Sequence, residues 1–124
     1  MVLISFFRAE AERRRAEKGL RDIVYAIEEP ETAQHPEHQR KLIKALIDLS
    51  KASNAQVLLT THSPEIVKRL DFDNIKLVSN NPSCRVSSIS PNELPYPSLN
   101  EINFSAFSEA IPEYHNELYG FIEA

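Results

Sequence analysis

The chain has 124 residues, of which 42% are apolar and 26% charged, and its net charge is −4, which indicates a globular chain with one domain at most. It contains no run of 18 apolar residues, which excludes a membrane-spanning helix of the usual kind. Cys84 is the only cysteine, so no internal disulfide can form. Because no export signal is recognisable either, we expect a cytoplasmic protein.

The order of the helix and strand signals predicts an α/β chain. Residues 2–18 are rich in alanine, glutamate and arginine and are predicted to form a helix that ends at Gly19. A buried strand, an amphipathic helix that begins at Pro36, a second buried strand and a short helix follow. These elements are predicted at 22–28, 37–52, 56–61 and 64–70, followed by strands at 74–78 and 85–89, an irregular stretch at 91–112 and one or two helical turns at 113–122.

The first strand ends in a group of carboxylates. Residues 23–27 form an unbroken apolar run, which is typical of a strand buried on both faces of a parallel sheet. Pro30 lacks an N–H group and therefore ends the strand after Glu28 and Glu29. Adjacent strand residues point to opposite sides, so these two carboxylates can do different work. One can hold a hydrated Mg²⁺ ion, and the other can align and deprotonate a water molecule.

The second strand brings His62 to its carboxyl end, directly before Ser63 and Pro64, which are predicted to begin the next helix. A strand, a helix and a second strand in this order imply parallel strands joined by a right-handed crossover. The carboxylates and His62 are therefore expected at the same edge of one sheet. That edge is where open α/β sheets bind their ligands.

Three motifs in this order resemble the second half of an ABC-type ATPase domain. They are Glu28-Glu29-Pro30-Glu31 after an apolar strand, Ala33-Gln34-His35-Pro36 in a loop, and Thr60-Thr61-His62-Ser63-Pro64 after the next strand. They are most similar to the RecF-like, SMC-like and OLD-type branch, often labelled AAA-type. The resemblance covers residues 1–80 and implies a partial P-loop NTPase-like parallel sheet with flanking helices. Residues 81–124 would be a carboxyl-terminal extension whose assignment stays open.

The resemblance implies a role for each matching residue. Glu28 corresponds to the Walker B acid, which holds Mg²⁺ through water, although the family usually has aspartate there. Glu29 corresponds to the carboxylate that polarises the attacking water. His62 corresponds to the switch histidine, which senses the γ-phosphate of ATP. The D-loop, which in the family crosses to the other subunit, corresponds to Thr32, Ala33, Gln34, His35 and Pro36.

Three motifs of the family are missing from this sequence. Its only glycines are Gly19 and Gly120, so G-x-x-x-x-G-K-[ST] is absent, as are the glutamine loop and the signature motif. We therefore expect a carboxyl-terminal piece of a larger ATPase that is inactive alone and whose partner is the missing amino-terminal half. For the intact protein, the resemblance implies a homodimer that encloses ATP and Mg²⁺ and acts on nucleic acid in DNA repair or phage defence, without contacting a membrane.

Functions of other classes stay open. A non-catalytic interaction module would bind no nucleotide and would pair with another chain through an exposed sheet edge. A metal-dependent nuclease would cleave without ATP. Its residues would be Glu28, Glu29, Glu31 and His35. A smaller metal site could also form from Glu31, His35 and His38, although Pro36 lies between the two histidines.

Residues 8–21 include six of the chain's basic side chains. Such a block could contact phosphates or an acidic partner. It could equally be a solvated helix face, in which Glu10 pairs with Arg13 and Arg14 at helical spacing.

Overall fold

The computed structural model describes residues 2–80, 82–89, 94, 98–108 and 111–123. The chain forms two compact units, Met1–Ile66 and Val67–Ala124. The predicted α/β class is confirmed, because helices accompany a small parallel two-stranded sheet in the first unit. The predicted division between an ATPase part and an extension at residue 80 stays a prediction, since compactness does not show what either part does.

The first unit follows the predicted order of elements. It contains α1 (Val2–Ala16), β1 (Ile23–Glu28), α2 (Pro36–Ser50) and β2 (Ala55–Thr60), and it ends within the short helix α3 (Pro64–Val67). Helix α1 ends two residues earlier than predicted, and α3 ends at Val67 instead of near Leu70. Helix α2 begins at Pro36 as predicted, because proline has no N–H to lose and its φ already suits a helix.

Strands β1 and β2 are parallel neighbours in one sheet. Their register runs from the pair Ile23 and Ala55 to the pair Glu28 and Thr60, so both strands end together. This confirms the predicted strand–helix–strand arrangement and places the residues that follow each strand at one edge.

The core of the first unit lies on one face of this sheet, under α1 and α2. Alternate residues of the two strands pack against the buried side chains of the helices. The helix residues of this core cluster are Ile4, Phe7, Ala11, Leu42, Ala45, Leu46 and Leu49, and the strand residues against them are Tyr25, Ile27, Ala55, Val57 and Leu59.

The other face of the sheet is open, so the predicted burial of β1 on both faces is wrong in this structure. Val24 is 58% exposed and Leu58 is 62% exposed. An unbroken apolar run indicates that both faces of a strand suit burial, but it cannot show whether both are covered. Here the core cluster of α1 and α2 packs against Tyr25, Ile27 and the residues of β2 on the same face.

A polar network joins α1 to the first residues of the sheet. Arg14 is 5% exposed, and its guanidinium donates to the backbone oxygens of Arg21 and Asn54, each at 3.1 Å. It also donates to Glu10 at 3.0 Å and to the Tyr25 hydroxyl at 3.2 Å, and that hydroxyl donates to Glu10. Burying Arg14 is tolerable because several acceptors replace water around it.

The pKa values of Glu10 and Tyr25 in this network differ from their usual values. Hydrogen bonds from Arg13 and then from Tyr25 hold the pKa of Glu10 at about 2, outweighing the opposite effect of burial, and Arg14 adds to them. Burial raises the pKa of Tyr25. Glu10 is therefore ionised at neutral pH and accepts from three donors.

The predicted pairs of Glu10 with Arg13 and Arg14 are both present, at 2.7 and 3.0 Å. The expectation of a solvated basic face is wrong at Arg14, which is buried. Arg15 donates to the backbone oxygen of Asp48 at 2.9 Å. The central part of the basic block thus binds within the unit.

The second unit contains an antiparallel hairpin of β3 (Lys76–Asn80) and β4 (Cys84–Ser88). Strand β3 begins two residues later than predicted because Phe72–Asn74 forms a 3-10 turn. Position 81, between the two strands, lies outside the described residues.

Two helices complete the second unit, α4 (Leu99–Phe107) and α5 (Pro112–Glu123). The predicted irregular stretch is wrong over α4, and residues 91–93, 95–97 and 109–110 of that stretch lie outside the described residues. Ser98 caps α4 by accepting from the Glu101 N–H at 3.2 Å. A serine followed three residues later by glutamate is a known start signal for a helix, and it was available in the sequence.

Helix α5 is longer than the predicted turn or two. Tyr114 is buried, and its ring lies 5.3 Å from that of Phe104 between the ring centres. Across the described part of the chain, no helix combines the length and the apolarity that a membrane crossing needs.

Candidate functional site

The carboxyl ends of β1 and β2 place the predicted site residues side by side. Glu28 pairs with Thr60 in the last position of the sheet, so Glu29 and His62 follow from adjacent strand ends. The expectation that the carboxylates and the histidine share one edge is therefore confirmed. Their proposed roles in catalysis stay predictions.

The turn after β1 begins with an unusual backbone conformation at Glu29. Its φ is 39°, in the left-handed region that costs a non-glycine residue about 1–2 kcal/mol. The Glu29 N–H still bonds to the Thr60 oxygen at 3.0 Å, which adds one more link between the strand ends. The prediction that Glu28 and Glu29 point to opposite sides assumed that both residues belong to the strand. The strand ends at Glu28, so this alternation does not determine the direction of Glu29.

Glu29 and His62 contact each other directly. The Oε1 atom of Glu29 lies 3.2 Å from Nε2 of His62, and the two side chains are 43% and 81% exposed. The contact is an ion pair when the imidazole is protonated and a hydrogen bond when neutral imidazole has its proton on Nε2. A carboxylate and an imidazole that lie side by side can both contact a water molecule or a phosphate oxygen bound next to them.

Glu31 is the site residue whose position the sequence did not indicate. It is only 9% exposed, whereas a carboxylate in a loop is usually solvated. Its Oε1 atom accepts from the Thr61 hydroxyl at 2.5 Å and from the His62 N–H at 3.0 Å. Because these contacts join residues about thirty positions apart, no local sequence signal could have revealed them.

The turn after β2, which contacts Glu31, also forms hydrogen bonds to the start of α3 and to α2. The Thr61 hydroxyl accepts from the Ser63 N–H at 3.0 Å, and the Ser63 hydroxyl donates to Gln39 at 3.0 Å. Gln39 in turn donates to the backbone oxygen of Gln34 at 3.0 Å. Contacts therefore link the turn after β1, the turn after β2 and the loop that precedes α2.

Residues 32–36, which resemble a D-loop, form a compact turn into α2. Ala33 has φ 60°, again in the left-handed region. The His35 ring caps the helix, with its Nδ1 atom accepting from the Glu37 N–H at 3.3 Å. Histidine is an uncommon residue for this position, and the proline that follows it was the better sequence signal.

The metal site suggested for Glu31, His35 and His38 is not supported. Glu31 is buried and bonded to the turn after β2, and His35 uses Nδ1 as a helix cap. Among the residues that the structure describes, no three or more histidine, cysteine, aspartate or glutamate side chains are grouped to hold a metal ion. The nuclease hypothesis therefore loses two of its four residues.

Open α/β sheets bind ligands at the carboxyl ends of their strands, and here that edge presents carboxylates after β1 and a histidine after β2. A family model described as an AAA ATPase domain matches residues 1–67, which is more than half of the chain. The chain belongs to this family. No curated protein and no solved structure matches it.

Membership in this family indicates an ATPase-type function and nucleotide binding, typically together with Mg²⁺. The matched residues include α1, both parallel strands, the turn with Glu29 and Glu31, and His62.

Proposed function

We propose that the chain provides one half of an ATP-hydrolysing site of the ABC type, in the RecF-like, SMC-like and OLD-like branch. The contact between Glu29 and His62 at the carboxyl edge of two parallel strands is the observation that supports this proposal. Neither side chain is buried, so both are accessible to a nucleotide bound across this edge.

In this proposal Glu29 is the general base. A water molecule attacks the γ-phosphorus of ATP, Glu29 takes its proton, and the bond to the bridging oxygen breaks so that ADP leaves with the electron pair. His62 donates a hydrogen bond from its imidazole to a γ-phosphate oxygen and thereby orients it. The left-handed turn at Glu29 directs this carboxylate away from the strand and toward His62.

Glu28 is the residue proposed to hold Mg²⁺ through water. It is exposed at the last position of β1, and carboxylate oxygens are the ligands that Mg²⁺ prefers. Such a site needs only one or two carboxylates, because the ion keeps several water molecules and also binds the phosphates. Once bound, the ion would neutralise negative charge on the phosphates.

The remaining parts of the site would come from other polypeptide. The sequence has no phosphate-binding loop, so we propose an amino-terminal ATPase half as one partner and a second copy of the whole ATPase as the other. Residues Thr32 to Pro36 would contact the second copy as a D-loop. These residues lie beside the proposed base, since the Thr32 hydroxyl lies 3.5 Å from Glu29 Oε2.

Action on nucleic acid is the part of the proposal that depends on the resemblance alone. The arginines at positions 13, 14 and 15 bond to Glu10, to the backbone oxygens of residues just before the two strands and to Asp48, so the middle of the basic block is already engaged.

The experiment is calorimetry with Mg-ATP, followed by an ATPase assay, on the chain alone and with the polypeptide that holds the phosphate loop and signature motif. We expect no binding alone, and binding with hydrolysis by the pair. Glu29→Gln should keep binding and lower hydrolysis by on the order of 10²–10⁴-fold. The matched control is Glu37→Gln, an exposed acid at the start of α2, which should change neither.

Any other result would contradict one part of the proposed function. Tight binding by the chain alone would refute a half-site, and undiminished hydrolysis by Glu29→Gln would refute the base. Absence of nucleotide binding by the pair would favour an interaction module. Metal-dependent nucleic-acid cleavage without ATP would favour the nuclease.

A further inference from the structure

The buried carboxylate of Glu31 contacts the backbone of the residue that faces the proposed base. We propose that Glu31 is a positioning residue, which holds the turn after β2 so that the His62 imidazole stands opposite Glu29. This inference rests on the proposed function for the roles of Glu29 and His62, and on the structure for their placement.

The contacts of Glu31 are strong ones for a loop residue. A carboxylate that is about nine-tenths buried is stable only when donors replace its water, and Oε1 has two, the Thr61 hydroxyl and the His62 N–H. Hydrogen bonds to an ionised acceptor are about twice as strong as neutral ones. Both donors belong to consecutive residues, so the carboxylate fixes the direction in which the chain leaves β2.

Glu31 and Glu29 belong to the same short turn, separated only by the buried Pro30. Glu31 holds the backbone of His62, and Glu29 contacts the ring of His62. These bonds close a small ring of covalent and hydrogen bonds that contains the proposed base and its partner. The distance between Glu29 and His62 therefore depends on Glu31.

The restraint acts on His62 through its backbone, since most of its side chain faces solvent. The imidazole is 81% exposed, so surrounding atoms restrict its rotation weakly. A restrained backbone limits the region that the ring can reach. On the other side, the bond from the Glu29 N–H to the Thr60 oxygen keeps the two strand ends together.

Thr61 completes the restraint. Its hydroxyl donates to Glu31 and accepts from the Ser63 N–H, so one hydroxyl links the carboxylate to the residue before α3. The Oε2 atom of Glu31 is buried without a hydrogen-bond partner among the described residues. A glutamine at this position would bury its amide nitrogen there, which makes Glu31→Ala the cleaner variant.

The alternative is that Glu31 only fastens two loops together and has no effect on the Glu29–His62 contact. The two roles differ in one observable quantity. If Glu31 positions His62, its removal changes the effect of Glu29 on the NMR resonances of the His62 ring. If Glu31 only connects the two loops, its removal changes stability alone.

The experiment is a double-mutant cycle read by NMR on the ring resonances of His62, with no nucleotide present. Glu29→Gln is introduced into the natural chain and into Glu31→Ala, and the shift it causes in the His62 Cε1–H resonance is compared. We expect the shift to be at least about two-fold smaller in the Glu31→Ala background. Glu37→Gln in place of Glu31→Ala is the control and should leave the shift unchanged.

A milder pair of variants keeps the test decisive if Glu31→Ala does not fold. Thr61→Val removes one donor to Glu31 and should weaken the response of His62, and Thr61→Ser retains the hydroxyl and should restore it. An undiminished response to Glu29→Gln in a folded Glu31→Ala or Thr61→Val protein would overturn the positioning role. Because no ATP is used, failure of the ATPase proposal would not alter this result.

Discussion

The ion pairs at Glu10 predict a specific dependence of stability on pH. The hydrogen bonds from Arg13, Tyr25 and Arg14 lower the pKa of Glu10 from 4.5 to about 2. A folded-state pKa below the unfolded one means that folding favours the ionised acid. The stabilisation is therefore complete above about pH 4.5 and is lost as the pH falls toward about 2.

The size of this effect follows from the pKa difference. A fall from 4.5 to about 2 corresponds to about 3 kcal/mol at neutral pH. Arg13, the main cause, has a side chain that is 46% exposed, so solvent screens its contribution. We therefore expect about 1–2 kcal/mol for the titratable part of the free energy of unfolding.

The assay is urea unfolding of the natural chain and of Glu10→Gln, followed by circular dichroism between about pH 7 and pH 2.5. At neutral pH, Glu10→Gln should have the lower free energy of unfolding, because it lacks the whole contribution of the ionised Glu10. The free energies of unfolding of the two proteins should converge as the pH falls below about 4.5. Glu12→Gln, an exposed acid on the same helix, is the matched control and should show no such convergence. A gap between the natural chain and Glu10→Gln that stays constant over this range would refute the reasoning.

Two further predictions each compare a pair of substitutions whose effects on the free energy of unfolding should differ in size or in sign. Leu46→Ala, at a core position that is 2% exposed, should cost about 2–5 kcal/mol in urea unfolding, whereas Leu58→Ala on the open face should cost under about 1 kcal/mol. An equal cost at both positions would mean that the second face of the sheet is covered. Ala33→Gly should stabilise by roughly 0.5 kcal/mol because φ is 60° there, while Ala9→Gly in α1 should destabilise by about 1 kcal/mol in the same measurement. Destabilisation by Ala33→Gly would show that its left-handed backbone is not strained.

Much of the site could be predicted because its signals are local. Pro30 ends a strand wherever it follows one, and Pro36 begins a helix for the same chemical reason, the missing N–H. The chain order of strand, helix and strand then required parallel neighbours, which brought Glu29 and His62 to one edge. The structure confirms this placement with a contact of 3.2 Å.

The errors concern helix limits and burial. Helix α4 was missed although its serine and glutamate start signal was present, because the surrounding prolines and polar residues outweighed it. The basic block was expected to face water, but Arg14 is buried by acceptors from the starts of both strands. A charged residue can be buried only when it has hydrogen-bond partners, and here one of these partners lies far away in the sequence.

Local patterns were enough to define the elements of the first unit, their order and the edge at which the site lies, since these follow from periodicity, proline and crossover geometry. Packing between distant segments set the rest. It left Val24 and Leu58 exposed, because the core cluster of α1 and α2 packs against the other face of the sheet. It also turned Glu31 inward, where two donors from the far side of the edge replaced the water that a loop carboxylate normally keeps.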